Sequence, residues 1–142
     1  MKNLLKNLTL ILSVSLIISC SGDDENTVDP IIGIWKYSTQ FENSTQTTVN
    51  DCSPSTIEFT SAGNRTNLYY GKNNSGNCVV VDNVNMTWKK LSANSYQFTQ
   101  NGFPFTETVI FENGNNTLTL EDSDTNGNGN IVVYRFVYTR IN

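Results

Sequence analysis

The feature that most constrains the fold is a period-two alternation of apolar and polar residues, which recurs in short blocks from residue 31 onward. Clusters of Asn, Gly and Ser separate the blocks, and the same region has no sustained apolar pattern of period 3.6. Successive side chains of a strand point to opposite faces, so this pattern indicates strands joined by hairpins. It predicts about eight or nine strands, at residues 33–41, 56–60, 65–70, 78–82, 84–91, 95–99, 105–111, 117–121 and 131–141.

The order of the predicted strands indicates how they are arranged. Each follows the last through a short turn, and Asn101-Gly102 is the dipeptide most typical of a two-residue hairpin. A small up-and-down antiparallel β-barrel of about eight strands is the simplest arrangement, because closure leaves no unpaired edge. A two-sheet sandwich is the alternative. We expect no helix in this part of the chain except a short turn near residues 50–54.

Composition argues against several function classes. The chain has no His, which excludes Ser-His-Asp and Cys-His nucleophiles and His-ligated zinc. Its net charge of −4 argues against nucleic-acid binding, which needs clustered Lys and Arg. Inside the strands Glu107 shares a face with Phe105 and Val109, so it can point into the barrel and anchor a polar group of a ligand or lie at a wet mouth. Since no second positioned group accompanies it, we predict no enzymatic activity and no cofactor.

The first residues read as a targeting segment. Two lysines precede an apolar run at residues 8–18, which is shorter than the about 20 residues of a spanning helix and suits a secretory signal. The run ends in Ile17-Ile18-Ser19-Cys20, which resembles the lipobox of bacterial lipoproteins. The resemblance implies a signal peptide at residues 1–19, an acylated Cys20 and a flexible tether at residues 20–30. The alternative is an ordinary signal peptide.

The residues after Cys20 bear on localisation. The acidic run at residues 21–26 resembles the surface-export signals of Bacteroidota-type lipoproteins, and a solvated acidic spacer is the alternative. The resemblance implies a protein anchored to the outer membrane through its N-terminal lipid and exposed on the cell surface. A periplasmic face of the same membrane stays open.

The domain at residues 31–142 resembles the lipocalin family. Gly33-Ile34-Trp35 near the first strand and Arg140 near the last match the lipocalin-type signature. In that family the tryptophan closes the base of the barrel and the arginine packs across its ring. A wider pattern looks like the lipocalin-like domains of exported Bacteroidota lipoproteins, and it comprises Cys52, residues 55–64, Cys78, Trp88 and residues 116–120.

The chain has three cysteines, an odd number for an exported protein. If Cys20 carries lipid, Cys52 and Cys78 remain, and we predict a structural disulfide between them in an oxidising compartment. A redox or metal role would need a C-x-x-C spacing or further ligands, and the sequence has neither.

One segment partly matches a calcium loop. Asp122, Asp124 and Asn126 alternate and are followed by Gly127, as in the first half of such a loop. The twelfth position is Val133 instead of the bidentate Glu, so we favour a polar hairpin tip and predict no metal.

Two functional hypotheses follow from the barrel. The first is a pocket for a small apolar ligand, lined by an aromatic-rich face that comprises Tyr37, Phe59, Trp88, Phe98, Phe111, Tyr134, Phe136 and Tyr138. The same residues would also suit a plain core, which we favour for most of them. The second hypothesis is a solid barrel that binds other proteins or surfaces through its Asn/Gly loops at residues 72–77 and 122–130.

Overall fold

Nine β-strands make up most of the chain that the structure describes, which in this computed structural model comprises residues 28–47, 52 and 55–141. They are β1 (Gly33–Glu42), β2 (Thr45–Thr47), β3 (Thr56–Phe59), β4 (Asn64–Lys72), β5 (Cys78–Lys90), β6 (Ser95–Gln100), β7 (Phe103–Glu112), β8 (Thr117–Thr125) and β9 (Ile131–Ile141). The described residues include no apolar helix long enough to cross a membrane. The proposed signal peptide and Cys20 lie outside the described residues, as does the predicted turn at residues 50–54 apart from Cys52.

The strands close into a barrel. Each strand from β3 to β8 pairs antiparallel with the next, and β1 pairs with β3 on one side and with β9 on the other. The short β2 pairs with β1 on the same side as β3, farther along the strand. Eight strands, β1 and β3 to β9, therefore surround the barrel axis, and β2 extends the edge next to β3. The prediction of an all-β, up-and-down antiparallel barrel of about eight strands is confirmed.

Several strand predictions were wrong in detail. β8 runs to Thr125, whereas its predicted end was residue 121, so the predicted loop at residues 122–130 begins within a strand. The strands predicted at residues 78–82 and 84–91 form one long strand, β5, which ends at Lys90, because they continue the same ladder with β4 past a single bulge. The β1–β2 hairpin was missed. Its turn is Asn43-Ser44, and both residues adopt positive φ (53° and 129°), which is uncommon without glycine.

The turns are made by the residues that the sequence marked. Asn101 and Gly102 have φ of 52° and 86°, and they join Gln100 directly to Phe103. Positive φ at both central residues defines the type I′ hairpin, whose twist matches that of paired strands.

A β-bulge in β1 changes which side chains face inward. The β1–β9 register shifts between Tyr37 and Thr39, so Tyr37 pairs with Tyr138 but Thr39 pairs with Val137. Regular alternation along residues 33–41 would place Thr39 on the inner face with Trp35 and Tyr37, and the bulge prevents this. Gln40, opposite Phe136, takes the inward position instead.

The core lies at one end of the barrel, which we call the closed end. It is where β1 begins and β9 ends. The most deeply buried side chains there are Ile31, Trp35, Phe59, Tyr96, Phe98, Val109 and Leu118. The other end, which we call the open end, carries the tips of the β4–β5, β6–β7 and β8–β9 hairpins.

Candidate ligand-binding cavity

Trp35 and Arg140 seal the closed end. Trp35 is fully buried and donates its indole N–H to the carbonyl of Ile31 at 2.7 Å. The guanidinium of Arg140, its cross-strand partner on β9, lies 4.1 Å from the centre of the Trp35 rings. This is the arrangement that the lipocalin resemblance implied for these two residues.

Arg140 also ties together three parts of the chain. It donates hydrogen bonds to the carbonyls of Pro30 at 2.6 Å, Ile32 at 2.8 Å and Asn115 at 3.0 Å. Gly33 makes room for this fork, because a Cβ there would lie 2.5 Å from Arg140 Nη1. Gly33 also has φ of 138°, which disfavours other residues. The requirement for glycine at position 33, two residues before Trp35, therefore has a steric cause.

Asp29 fixes the entry of the chain into the barrel. Its carboxylate accepts a hydrogen bond from the Tyr96 hydroxyl at 2.8 Å and one from the Ile31 amide at 3.0 Å, and it pairs with Lys90 at 3.2 Å. Burial is the main reason why the pKa of Tyr96 is raised, with Asp29 adding to it. The residues that start the domain are thus held against β6.

A cavity of about 360 Å³ lies above this core, toward the open end. Its volume is in the range of small-molecule sites, roughly 300–1,000 Å³. Two lining residues, Tyr69 and Phe105, are 41% and 37% exposed and mark where it meets solvent. The lining residues are Tyr37, Gln40, Ser55, Arg65, Asn67, Tyr69, Met86, Phe105, Glu107, Leu120, Phe136 and Tyr138.

Arg65 and Asn67 are the charged and polar side chains most deeply buried in this lining, at 5% and 3% exposure. Arg65 Nε donates to Asn67 Oδ1 at 3.0 Å, and its Nη1 lies 3.5 Å from Glu107 Oε2. The Arg65 guanidinium lies 4.5 Å from the ring centre of Phe98. The aromatic core thus packs against the face of the Arg65 guanidinium, and the edge of the guanidinium borders the cavity.

Three titratable groups around the cavity, Glu107, Tyr37 and Tyr138, have raised pKa values. Burial raises the pKa of Glu107, the positive charge of Arg65 lowers it and the negative charge of Asp122 raises it, with a net upward shift. Burial likewise raises the pKa values of Tyr37 and Tyr138, so both remain phenols at neutral pH. The Tyr37 hydroxyl donates to Gln40 Oε1 at 3.0 Å.

The structure divides the predicted aromatic face between the cavity and the core. Tyr37, Phe136 and Tyr138 line the cavity, near the middle of β1 and β9. The other predicted residues lie outside its lining. Phe59 contacts both Phe98 and Trp88 in the core, Phe111 packs against Trp35, and Tyr134 lies nearer the open end of β9.

Sequence reasoning missed Arg65 and Asn67 as cavity residues. An inward arginine has the same period-two spacing as an outward one, so alternation alone does not reveal it. The signal is the β3–β4 register, in which Phe59 faces Arg65 and Ile57 faces Asn67. Because cross-strand partners share a face, the buried Phe59 and Ile57 place both polar side chains inside.

The partial calcium motif forms a strand and a tight turn. Asp122 and Asp124 belong to β8, and one oxygen of each accepts the amide of the next residue. Asn126 Oδ1 accepts two amides of its own turn, those of Asn128 and Asn130. In the part of the chain that the structure describes, no three His, Cys, Asp or Glu side chains cluster as a metal site.

The predicted disulfide between Cys52 and Cys78 is confirmed. It joins the segment before β3 to the start of β5 at the open end, with the two Cα atoms 5.3 Å apart. Cys52 is buried. The bridge therefore fixes Cys52, three positions before the lining residue Ser55, to the β4–β5 hairpin.

Together these features define a class: a small, closed up-and-down β-barrel of lipocalin-like form, sealed at one end and holding an internal cavity. No protein-family model matches the chain, and no curated protein sequence matches it significantly. Among solved structures it is similar to bovine odorant-binding protein complexed with its natural ligand, at 12% identity and a TM-score of 0.46, over 82% of this chain and 74% of that one. It is also similar to lobster apocrustacyanin A1, at 14% identity and a TM-score of 0.47, over 83% of this chain and 63% of that one.

Proposed function

We propose that this protein binds a small, largely apolar molecule inside its barrel. The observation that carries the proposal is the internal cavity of about 360 Å³. Apolar surface from Met86, Leu120 and Phe136 lines it, together with the rings of its tyrosines. A few polar groups interrupt that surface, which is the usual make-up of a site that both holds and orients a ligand.

The barrel interior favours binding over catalysis. Arg65 and Glu107 are the charged lining residues, and they face each other across 3.5 Å. A buried ion pair of this kind orients a ligand, but it supplies no activated nucleophile. We assign no reaction to the site.

The solid-barrel alternative is less well supported, because the two loops that suggested it are short, self-contained turns. In the first, Asn73 accepts the amides of Ser75 and Asn77 through its side chain. In the second, Asn126 does the same within the turn that ends at Asn130. The side chains of Asn73 and Asn126 thus stabilise the turns themselves.

The proposal extends to an outer-membrane lipoprotein anchored through an acylated Cys20 and exposed at the cell surface. Val28 and Asp29 lie at the closed end, where Val28 and Arg140 line the same surface groove and Asp29 accepts the Tyr96 hydroxyl. A lipid at Cys20 would therefore hold the closed end toward the membrane and direct the cavity mouth away from it. Cys20→Ala should release the protein from the membrane fraction and abolish acyl labelling, and continued retention would contradict the anchor.

Competition with a fluorescent fatty-acid probe tests ligand binding. Met86→Trp places a larger side chain in the cavity and should abolish probe binding. Thr87→Trp is the matched control, because Thr87 is the next residue of β5 and is exposed on the outer face. Equal probe binding by both variants, or no binding by the wild type, would refute the proposed site.

A further inference from the structure

Arg65 presents an unused pair of N–H donors to the cavity. Its side chain is only 6% exposed, its Nε serves Asn67 and its Nη1 serves Glu107. Nη2 makes no hydrogen bond within the described part of the chain. It is not fully enclosed either, because Nη2 is absent from the fully buried side-chain atoms that lack a partner. Since Arg65 lines the cavity, we infer that Nη2 is its donor available to a molecule in that space.

The guanidinium is held firmly enough to receive a ligand in a fixed direction. The ring centres of Phe98 and Phe59 lie 4.5 and 5.6 Å from its central carbon, and Asn67 holds its Nε. A planar, preorganised guanidinium fork matches the two oxygens of an anionic group. At 3.5 Å, the contact with Glu107 is long for a charge-assisted hydrogen bond, so Glu107 leaves much of this capacity unused.

We propose that the ligand is a monoanionic amphiphile whose head group accepts hydrogen bonds from Arg65, while the carboxyl of Glu107 takes up one proton on binding. This inference rests on the proposed function. The apolar body of the ligand would lie against Met86, Leu120 and Phe136. A volume of 360 Å³ corresponds to about a dozen water molecules, which indicates a ligand of about a dozen non-hydrogen atoms, such as a medium-chain carboxylate.

The proton uptake follows from the charges around Glu107. The titratable and charged groups that face it are Arg65 on β4, Tyr96 on β6, Asp122 on β8 and Tyr138 on β9. Both tyrosines have raised pKa values and stay neutral, so Arg65 is the cation available to two carboxylates. A third anion at Arg65 favours protonation of the most buried carboxyl, that of Glu107, whose pKa burial already raises.

Two probes of nearly equal size test this inference. Octanesulfonate keeps its negative charge at every working pH, and methyl octyl sulfone has a similar shape without charge. Titration calorimetry of the full mature chain should show tighter binding of the sulfonate. Its affinity should rise by up to about tenfold for each pH unit of acidification above the pKa of Glu107, with uptake of one proton. The affinity of the sulfone should not depend on pH.

Variants identify the group that takes up the proton. Glu107→Gln should bind the sulfonate at neutral pH at least as tightly as the wild type and without pH dependence. Glu121→Gln removes a carboxylate that pairs with Arg135 on the outer surface, so it should retain the wild-type pH profile. Arg65→Gln should abolish the preference for the sulfonate. Because loss of Arg65 can impair folding, the Glu107→Gln profile decides the question independently.

The outcomes separate the two proposals. If the sulfone binds and the sulfonate binds no more tightly, the anionic ligand is refuted while the proposed function stands. If neither probe binds, both are refuted. A pH dependence that persists in Glu107→Gln refutes the role of Glu107.

Discussion

Replacing Arg140 with Met should cost a large share of the stability of the domain. The substitution removes one cation–π contact, worth about 0.5–2 kcal/mol, and three hydrogen bonds to carbonyls, worth about 1 kcal/mol each because they are partly solvated. We therefore expect the free energy of unfolding to fall by about 3.5–5 kcal/mol. A domain of this size has about 5–15 kcal/mol in total.

Urea denaturation followed by tryptophan fluorescence measures this loss, because Trp35 lies directly beneath the guanidinium. Arg135→Met is the matched control. Arg135 lies on the same strand and pairs with Glu121 at the surface, where its side chain is 46% exposed, and its loss should cost less than about 1 kcal/mol. If Arg140→Met falls within 1 kcal/mol of this control at an unchanged m-value, the seal at the closed end does not stabilise the barrel as argued.

Three further predictions concern single features of the fold. Replacing Cys52 and Cys78 with Ser should lower the free energy of unfolding by about 3.5 kcal/mol, since the bridge closes a loop between residues 26 positions apart; a reductant should have the same effect on the wild type only. Gly33→Ala should cost about 1–3 kcal/mol in the same assay, because of its positive φ and its contact with Arg140; a neutral result would contradict the steric argument. Glu107 has a raised pKa in the folded state, so its contribution to stability is complete below its ordinary pKa of 4.5 and is lost as the pH rises through the folded value. The unfolding free energy of the wild type minus that of Glu107→Gln should therefore decrease as the pH rises above 4.5. A difference that does not change with pH would contradict the raised pKa of Glu107.

The alternation of apolar and polar residues predicted the strands well, because it is present wherever one face of a strand is buried and the other is exposed to solvent. On β9, Val132 and Tyr138 are buried, while Arg135 between them and Thr139 after them are exposed, as the sequence pattern indicates. The pattern fails at a bulge, because one extra residue shifts the parity without changing the residue types. Ser38 is such a residue, and it moves the inward position from Thr39 to Gln40.

The position of a side chain along the barrel axis is harder to predict than whether it points inward or outward. Phe98 and Phe136 both point inward, but Phe98 fills the closed end while Phe136 lines the cavity. Alternation distinguishes inside from outside and carries no information about height. Distance from Trp35, which marks the base, would have separated the two groups once the strand registers were known.

The ties made by Arg140 have a kinetic consequence. Its hydrogen bonds to Ile32 and Pro30 span 108 and 110 residues of sequence, whereas most of the strand pairs are local hairpins that need only short loops to close. The pairing of β1 with β9 pays the largest loop-closure entropy, so we expect it to form last, after the folding transition state. Loss of Arg140 should then accelerate unfolding and leave the folding rate nearly unchanged. The contacts of Arg140 at the closed end would therefore set the unfolding rate, and with it the lifetime of the folded barrel.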